Sequence, residues 1–215
     1  MSKNFGRITD ERLFIVGDVQ GCADELDDLL RAARVGHGRR LAFAGDLVNR
    51  GPQSRAVLER AVAEDALVVL GNHEDGLLKG KGGMLDRVRK ELGADLPRWT
   101  AWLEALPLWL QSDQLILVHA GIPPGKRPED ATRGELTRIR DVDGVPWFDT
   151  WSGPETVVFG HWSVRGKVDL PLAKGLDTGC VYGGRLTGLY WPERQWLDVP
   201  ARKIWFDPIA MEAKW

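Results

Sequence analysis

Cysteine is scarce: Cys22 and Cys180 are the only two in 215 residues, with neither a CxxC pair nor a secretory spacing. That excludes a disulfide scaffold and fits a reducing compartment. Neither sign of charge is in excess. A formal net charge of -2 gives no global attraction for nucleic acid or anionic membranes, so any phosphate-bearing partner must be held by a local site. Long apolar runs are missing as well, since none approaches the ~18 residues of a membrane span. The amino-terminal MSKNFGRITDERLF carries charges where a signal peptide needs an apolar stretch. The expectation is a cytoplasmic protein with no membrane partner. No repeat, linker or low-complexity tract is present, and 43% apolar content is enough for one sizeable core, so a single domain over 1–215 is expected.

What is present is a series of five short apolar runs with the length and β-branched or aromatic content of buried strands: LFIV from Leu13, LAFA from Leu41, ALVVL from Ala66, LILV from Leu115 and TVVF from Thr156. They lead into GD (Gly17, Asp18), GD (Gly45, Asp46), GNHE (Gly71 to Glu74), HAG (His119 to Gly121) and GHW (Gly160 to Trp162). Between the first three runs lie helical signals. Leu26, Leu29, Leu30 and Ala33 follow i, i+3, i+4, i+7 within Ala23 to Ala33, with Gly36 as the stop, and a second helix starts near Pro52. Strand alternating with helix predicts parallel crossovers and an α/β fold, with the site in the crevice beyond the carboxyl ends of the strands. A Trp- and Leu-rich stretch over 97–110 reads as a buried helix and 131–140 as another; after Gly175, RLTGLYW and QWLDV suggest an antiparallel meander on the sheet edge.

Each strand thus delivers a metal-ligand or acid/base residue type. Hard divalent cations favour carboxylate and amide oxygens with some imidazole, and two ions sharing one carboxylate can clamp the attacking and leaving oxygens of a phosphate ester. Asp18, Asp46, Asn72, His119 and His161 supply that mix. A single Gly-Asp after a strand is ordinarily a turn, and a lone histidine is ordinarily a satisfied polar side chain. Neither explains five in order, with Asp18, Asp46 and Asn72 spaced 28 and 26 residues apart and three of the four histidines directly after strand signals.

With these motifs the chain resembles the PPP-type metallophosphoesterase superfamily. GDVQGC at Gly17, GDLVNRGP at Gly45, VLGNHE at Val69, HAGI at His119, FGHW at Phe159 and LDTGCVYGGRLT at Leu176 look most like the bacterial symmetrical diadenosine tetraphosphatases. The resemblance implies a four-layer α/β/β/α sandwich with mixed sheets. It implies two divalent ions, manganese first and cobalt, magnesium, iron or zinc as alternatives. Asp18, Gln20 and Asp46 would hold one ion, and Asp46, Asn72, His119 and His161 the other. His73 resembles the family's general acid and Arg50 its phosphate clamp; TRIR at Thr137 resembles the segment that supplies a second clamp, from Arg138 or Arg140. The activity implied is hydrolysis of diadenosine tetraphosphate to two ADP by a metal-bridging hydroxide, with a nucleotide polyphosphate as the partner and no obligate protein partner. The alternatives are a protein serine/threonine or tyrosine phosphatase acting on phosphoprotein, and removal of nucleoside-tetraphosphate caps from RNA.

Three departures from the phosphatase pattern matter. Gln20 stands where a histidine is usual, a weaker neutral donor. Asn49 replaces the aspartate that charges the general-acid histidine in protein phosphatases, which points to a leaving group needing little proton donation; a nucleoside diphosphate, with a terminal phosphate pKa of roughly 6 to 7, is one. The stretch from Ile122 to Phe159 is shorter than the helical insertion common in the nucleotide hydrolases, so a more open cleft is expected. Among weaker features, the basic residues from Lys79 to Lys90 read as a solvated helix face. The ten tryptophans read as core, with Trp162 and Tyr182 the best exceptions, and Cys22 and Cys180 each adjoin a motif and so are candidates for proximity.

Overall fold

The computed structural model describes residues 5–9, 12–34, 38–80 and 82–208. The first four residues, the expected helix stop at Gly36 and Lys81 of the basic stretch lie outside them. In chain order the strands are β1 (Phe5–Arg7), β2 (Leu13–Val16), β3 (Arg40–Phe43), β4 (Leu67–Val68), β5 (Trp109–Gln111), β6 (Leu115–Val118), β7 (Asp141–Val142), β8 (Val145–Pro146), β9 (Thr156–Phe159), β10 (Val168–Leu170), β11 (Ala173–Gly175), β12 (Arg185–Trp191) and β13 (Gln195–Pro200). The helices are α1 (Ala23–Ala33), α2 (Ser54–Ala63), α3 (Asn72–Leu78), α4 (Met84–Leu92), α5 (Leu96–Glu104) and α6 (Arg133–Arg138).

Two mixed sheets result, where the strand pattern alone pointed to one mostly parallel core. The first has the order β13-β12-β2-β3-β4, the second β1-β5-β6-β9-β11-β10. Within the first, β2, β3 and β4 are parallel and the antiparallel β12–β13 pair adds beside β2, as the late meander predicts. Side chains alternate between faces along a strand, and that period sorts the core into layers. Leu13 and Ile15 of β2 meet Leu115 and Leu117 of β6 and Val158 of β9 between the sheets. Phe14 and Val16 face outward onto Leu26 and Leu29 of α1 and Val57 and Leu58 of α2. Ile116, Val118 and Phe159 face the other way, onto Trp147 and Leu136 of α6. Helix, sheet, sheet, helix is the four-layer order that the resemblance implies.

Two expectations shift. The 97–110 stretch divides, because Pro107 cannot continue a helix: α5 ends at Glu104, and Trp109 and Leu110 enter the second sheet. The run from Ala66 pairs only over Leu67–Val68, since the Leu70 N–H turns away to donate to the Pro107 carbonyl at 2.9 Å. From Met84 on the basic stretch is α4, with Leu85, Val88 and Leu92 inward and Arg87 and Lys90 in solvent, while Lys79 caps the end of α3 and pairs with Asp75.

Candidate active site

All five strand-end motifs converge at one edge of the sandwich. Asp18 follows β2, Asp46 follows β3 and Asn72 opens α3 after β4, all on the first sheet; His119 follows β6 and His161 follows β9, on the second. The centre therefore spans the two sheets. Backbone strain concentrates in it: of nine described non-glycine residues with positive φ, five are Gln20, Asp46, Asn49, Arg50 and His161. Such conformations cost about 1 to 3 kcal/mol each and persist only where the surroundings impose them. Here loop-to-loop bonds do so, among them Gln20 N–H to Asp46 O and Gly21 N–H to Leu47 O, both at 2.8 Å.

Asp46 sits at the middle. His73 N–H donates to its Oδ1 at 2.9 Å, the Gln20 amide reaches its Oδ2 at 3.4 Å, and His119 Nε2 lies 3.4 Å from Oδ1. Burial alone would raise its pKa, but the adjacent His119 and His73 hold it well below the ordinary carboxylate value. Asp18 is pushed the other way, well up, by burial and then by the charges of Asp177 and Asp46. Its Oδ1 accepts the His161 N–H at 3.0 Å, while its buried Oδ2 has no partner among the described residues. Two glycines make room for these carboxylates. A β-carbon on Gly71 would lie 2.2 Å from Asp46 Oδ1 and one on Gly160 would lie 2.0 Å from Asp18 Oδ1, so both positions require glycine.

The histidine tautomers follow from carbonyl partners, which can only accept. His119 Nδ1 donates to Ala44 O at 2.7 Å and His161 Nε2 donates to Arg138 O at 3.2 Å. The opposite ring nitrogens, His119 Nε2 and His161 Nδ1, face Asn72 Oδ1 at 3.0 and 2.7 Å. Burial keeps His161 neutral, lowering its pKa to about 3. Donor atoms of Asp46, His119 and His161 all lie within 4.8 Å of one another. Such donor atoms, beside an orphaned buried carboxylate oxygen, suit a cation between them, and carbonyl-oriented imidazoles are usual around one. The residues present fit divalent metal ions.

A family model described as calcineurin-like phosphoesterase matches residues 11–178. The chain belongs to that family. Membership makes it a hydrolase of the metallophosphoesterase type and implies divalent metals, in agreement with the donor set. A symmetrical bis(5'-nucleosyl)-tetraphosphatase of Janthinobacterium sp. (strain Marseille) is 34% identical over 260 residues, covering 86% of this chain and 95% of the relative. An asymmetrical bis(5'-nucleosyl)-tetraphosphatase of Halalkalibacterium halodurans is 33% identical over 230 residues, covering 88% and 94%. A crystal structure of a candidate diadenosine tetraphosphatase superposes with a TM-score of 0.83 at 35% identity, covering 93% of this chain and 98% of that one. A serine/threonine phosphatase from Saccharomyces cerevisiae, at 15% identity and a TM-score of 0.61, shares the fold alone.

Around the phosphoesterase centre the remaining expected residues take distinct places. His73 Nδ1 donates to Val48 O at 3.0 Å, which leaves Nε2 facing Asp46 Oδ2 at 3.7 Å. A backbone carbonyl thus orients this ring where protein phosphatases use a carboxylate, and burial lowers its pKa against the opposing pull of Asp46. Arg50 stands over Tyr182 and Phe206, its guanidinium carbon 5.3 and 5.6 Å from their ring centres. The two later arginines separate. Arg138 is bound to the buried Asp75 at 2.7 Å, whereas Arg140 has no ion-pair partner among the described residues and lines a cleft of about 1210 Å³ together with Arg50. Trp162 packs on Phe148, while Tyr182 does line the cleft.

Residue-by-residue reading missed three groups in this phosphoesterase. Asp177, within the quoted LDTGC, is buried and within electrostatic reach of Asp18; burial, with the charge of Asp46, pushes its pKa up to about 6. Its place after a short strand, like that of the expected ligands, was a usable signal. Glu74 is a buried clamp whose carboxylate accepts N–H bonds from Asp46, Leu47, Val48 and Gly71 at 2.9 to 3.1 Å. Asp75 gathers Lys79, Arg133 and Arg138. Cys22 and Cys180 are buried neighbours beside Glu25, with both thiols free.

Proposed function

We propose that the chain, as one cytoplasmic domain, hydrolyses diadenosine tetraphosphate to two ADP with two divalent metal ions. The observation that carries this reading is an open cleft of about 1210 Å³, ample for a nucleotide, whose Arg50 and Arg140 lie within electrostatic reach of Asp177 and His161 of the acidic, histidine-bearing centre. The names of the relatives support it. Asp18, Gln20 and Asp46 would hold one ion, with Asp177 close behind; Asp46, Asn72, His119 and His161 would hold the second, Asp46 bridging. Such ions, manganese first among them, supply an activated water and neutralise phosphate charge.

The protein's own groups do the rest. Arg50, held over the neighbouring rings of Tyr182 and Phe206, presents N–H groups to a phosphate and offsets charge as it builds. Arg140 serves the neighbouring phosphate. His73, its Nδ1–H fixed by the Val48 carbonyl, acts as the imidazolium that Asp46 favours: the proton on Nε2 passes to the departing phosphate oxygen and leaves the ring neutral. The bond broken is that from an inner phosphorus to its bridging oxygen; water supplies the new oxygen. A departing ADP needs only modest proton donation, which suits a histidine without a carboxylate behind it. Glu74, the last residue of GNHE, is a structural clamp and lends no support to a protein substrate.

The relatives disagree on which bond is cut, and the asymmetrical one aligns over fewer residues, closer to the length of this chain. The second reading is therefore asymmetric cleavage at the same centre. Separation of products from manganese-loaded protein decides: ADP alone is expected, ATP with AMP would establish asymmetric cleavage, and no nucleotide release would end the dinucleotide reading. The two arginines differ in their expected response. Arg140→Ala should lower kcat/KM by about tenfold to a hundredfold, the worth of a charged hydrogen bond, with an unchanged melting temperature. Arg138→Ala should instead lower the melting temperature, because Asp75 loses a partner; the reverse pattern would exchange their roles.

A further inference from the structure

The Arg50–Arg140 cleft has an apolar rim that the chemistry at the metal centre does not use. Met84 opens α4, Val164 follows the GHW turn, and Ile204 lies beyond β13, so three distant segments meet there. All three are exposed, Met84 at 42%, Ile204 at 61% and Val164 at 94%. Single exposed apolar side chains are common, but a cluster beside a polar site marks a ligand surface. The floor is built from segments that also carry the centre: Arg50 beside Asn49, Ser163 after His161, and Thr178 with Gly179 after Asp177. The cleft thus combines two arginines, within electrostatic reach of Asp177 and His161 of the centre, with an apolar rim that also carries Asp207. A ligand that suits both carries phosphates at one end and a flat, weakly polar group at the other.

We propose that this cleft seats one nucleoside of the substrate, its base on Met84 and Ile204 and its phosphates running between Arg50 and Arg140 into the centre. The assignment rests on the dinucleotide reading above. It makes Met84 and Ile204 specificity determinants with no part in bond cleavage. The cleft is open toward its apolar rim, so the base is held by contact area and not by enclosure.

The test uses the manganese-loaded full chain and the variants Met84→Asp, Ile204→Asp and the milder Ile204→Ala. A charge under the base should raise KM for diadenosine tetraphosphate by about tenfold or more, the scale of one base contact, with kcat nearly unchanged; Ile204→Ala should give a smaller rise of the same kind. Turnover of p-nitrophenyl phosphate, which has no nucleoside, should keep its wild-type kcat and KM, and so also reports an intact fold. An unchanged KM for the dinucleotide in both aspartate variants overturns the cleft assignment alone. A parallel loss with both substrates also overturns it, because the residues would then be supporting the centre. A wild-type chain that hydrolyses p-nitrophenyl phosphate but not the dinucleotide overturns the substrate reading and this assignment together.

Discussion

Asp46→Asn is expected to lower kcat/KM by about a thousandfold or more, the equivalent of several kcal/mol of charge stabilisation, with little change in melting temperature. The side chain keeps its shape, so the carbonyl oxygen of asparagine can still accept the His73 N–H that Asp46 Oδ1 accepts at 2.9 Å. What is lost is the negative charge placed among His73, His119 and His161, which in the proposed two-ion centre would serve both ions. Elemental analysis of the purified variant should find fewer bound divalent ions than in the wild type. Full metal content together with wild-type turnover would remove Asp46 from the centre.

Glu74→Ala should leave the ligands chemically intact and unfold the loop that carries them. Its carboxylate takes four backbone N–H groups that have no other acceptor in reach, and it binds the turn after β3 to the turn before α3. A buried donor left unsatisfied costs about 1 to 3 kcal/mol, so the loss should be about 4 kcal/mol or more. For a chain of this size that is about 8 to 16 °C in melting temperature. Glu74→Gln should fall between, because its amide nitrogen cannot accept. Thermal unfolding followed by circular dichroism reads both; a shift under about 2 °C for Glu74→Ala would show that the loop is held by other means.

Much of the centre was legible because it is local. A ligand residue placed directly after a short apolar run lies at a strand end whichever sheet the strand joins, so Asp18, Asp46, Asn72, His119 and His161 could be named from spacing and chemistry. The helix at Ala23–Ala33 was legible for a similar reason, since its apolar period is complete within eleven residues. The left-handed backbone at Gln20, Asp46, Asn49, Arg50 and His161 was not, because those residue types do not demand it; contacts with other loops impose it.

Partnership between distant side chains had to wait for tertiary structure. Arg138 and Arg140 are two residues apart and equivalent as text, yet the first is neutralised by Asp75 from α3 and the second is left facing the cleft. Glu74 reads as part of a catalytic signature and proves to be a strut. Met84, Val164 and Ile204 carry no motif and meet only because the two sheets stack. The sequence by itself determined which residue types stand at the strand ends, through short-range periodicity and turn chemistry. Only packing decided which charges are paired and which remain free for a substrate, because pairing depends on approach between segments that the chain separates by scores of residues.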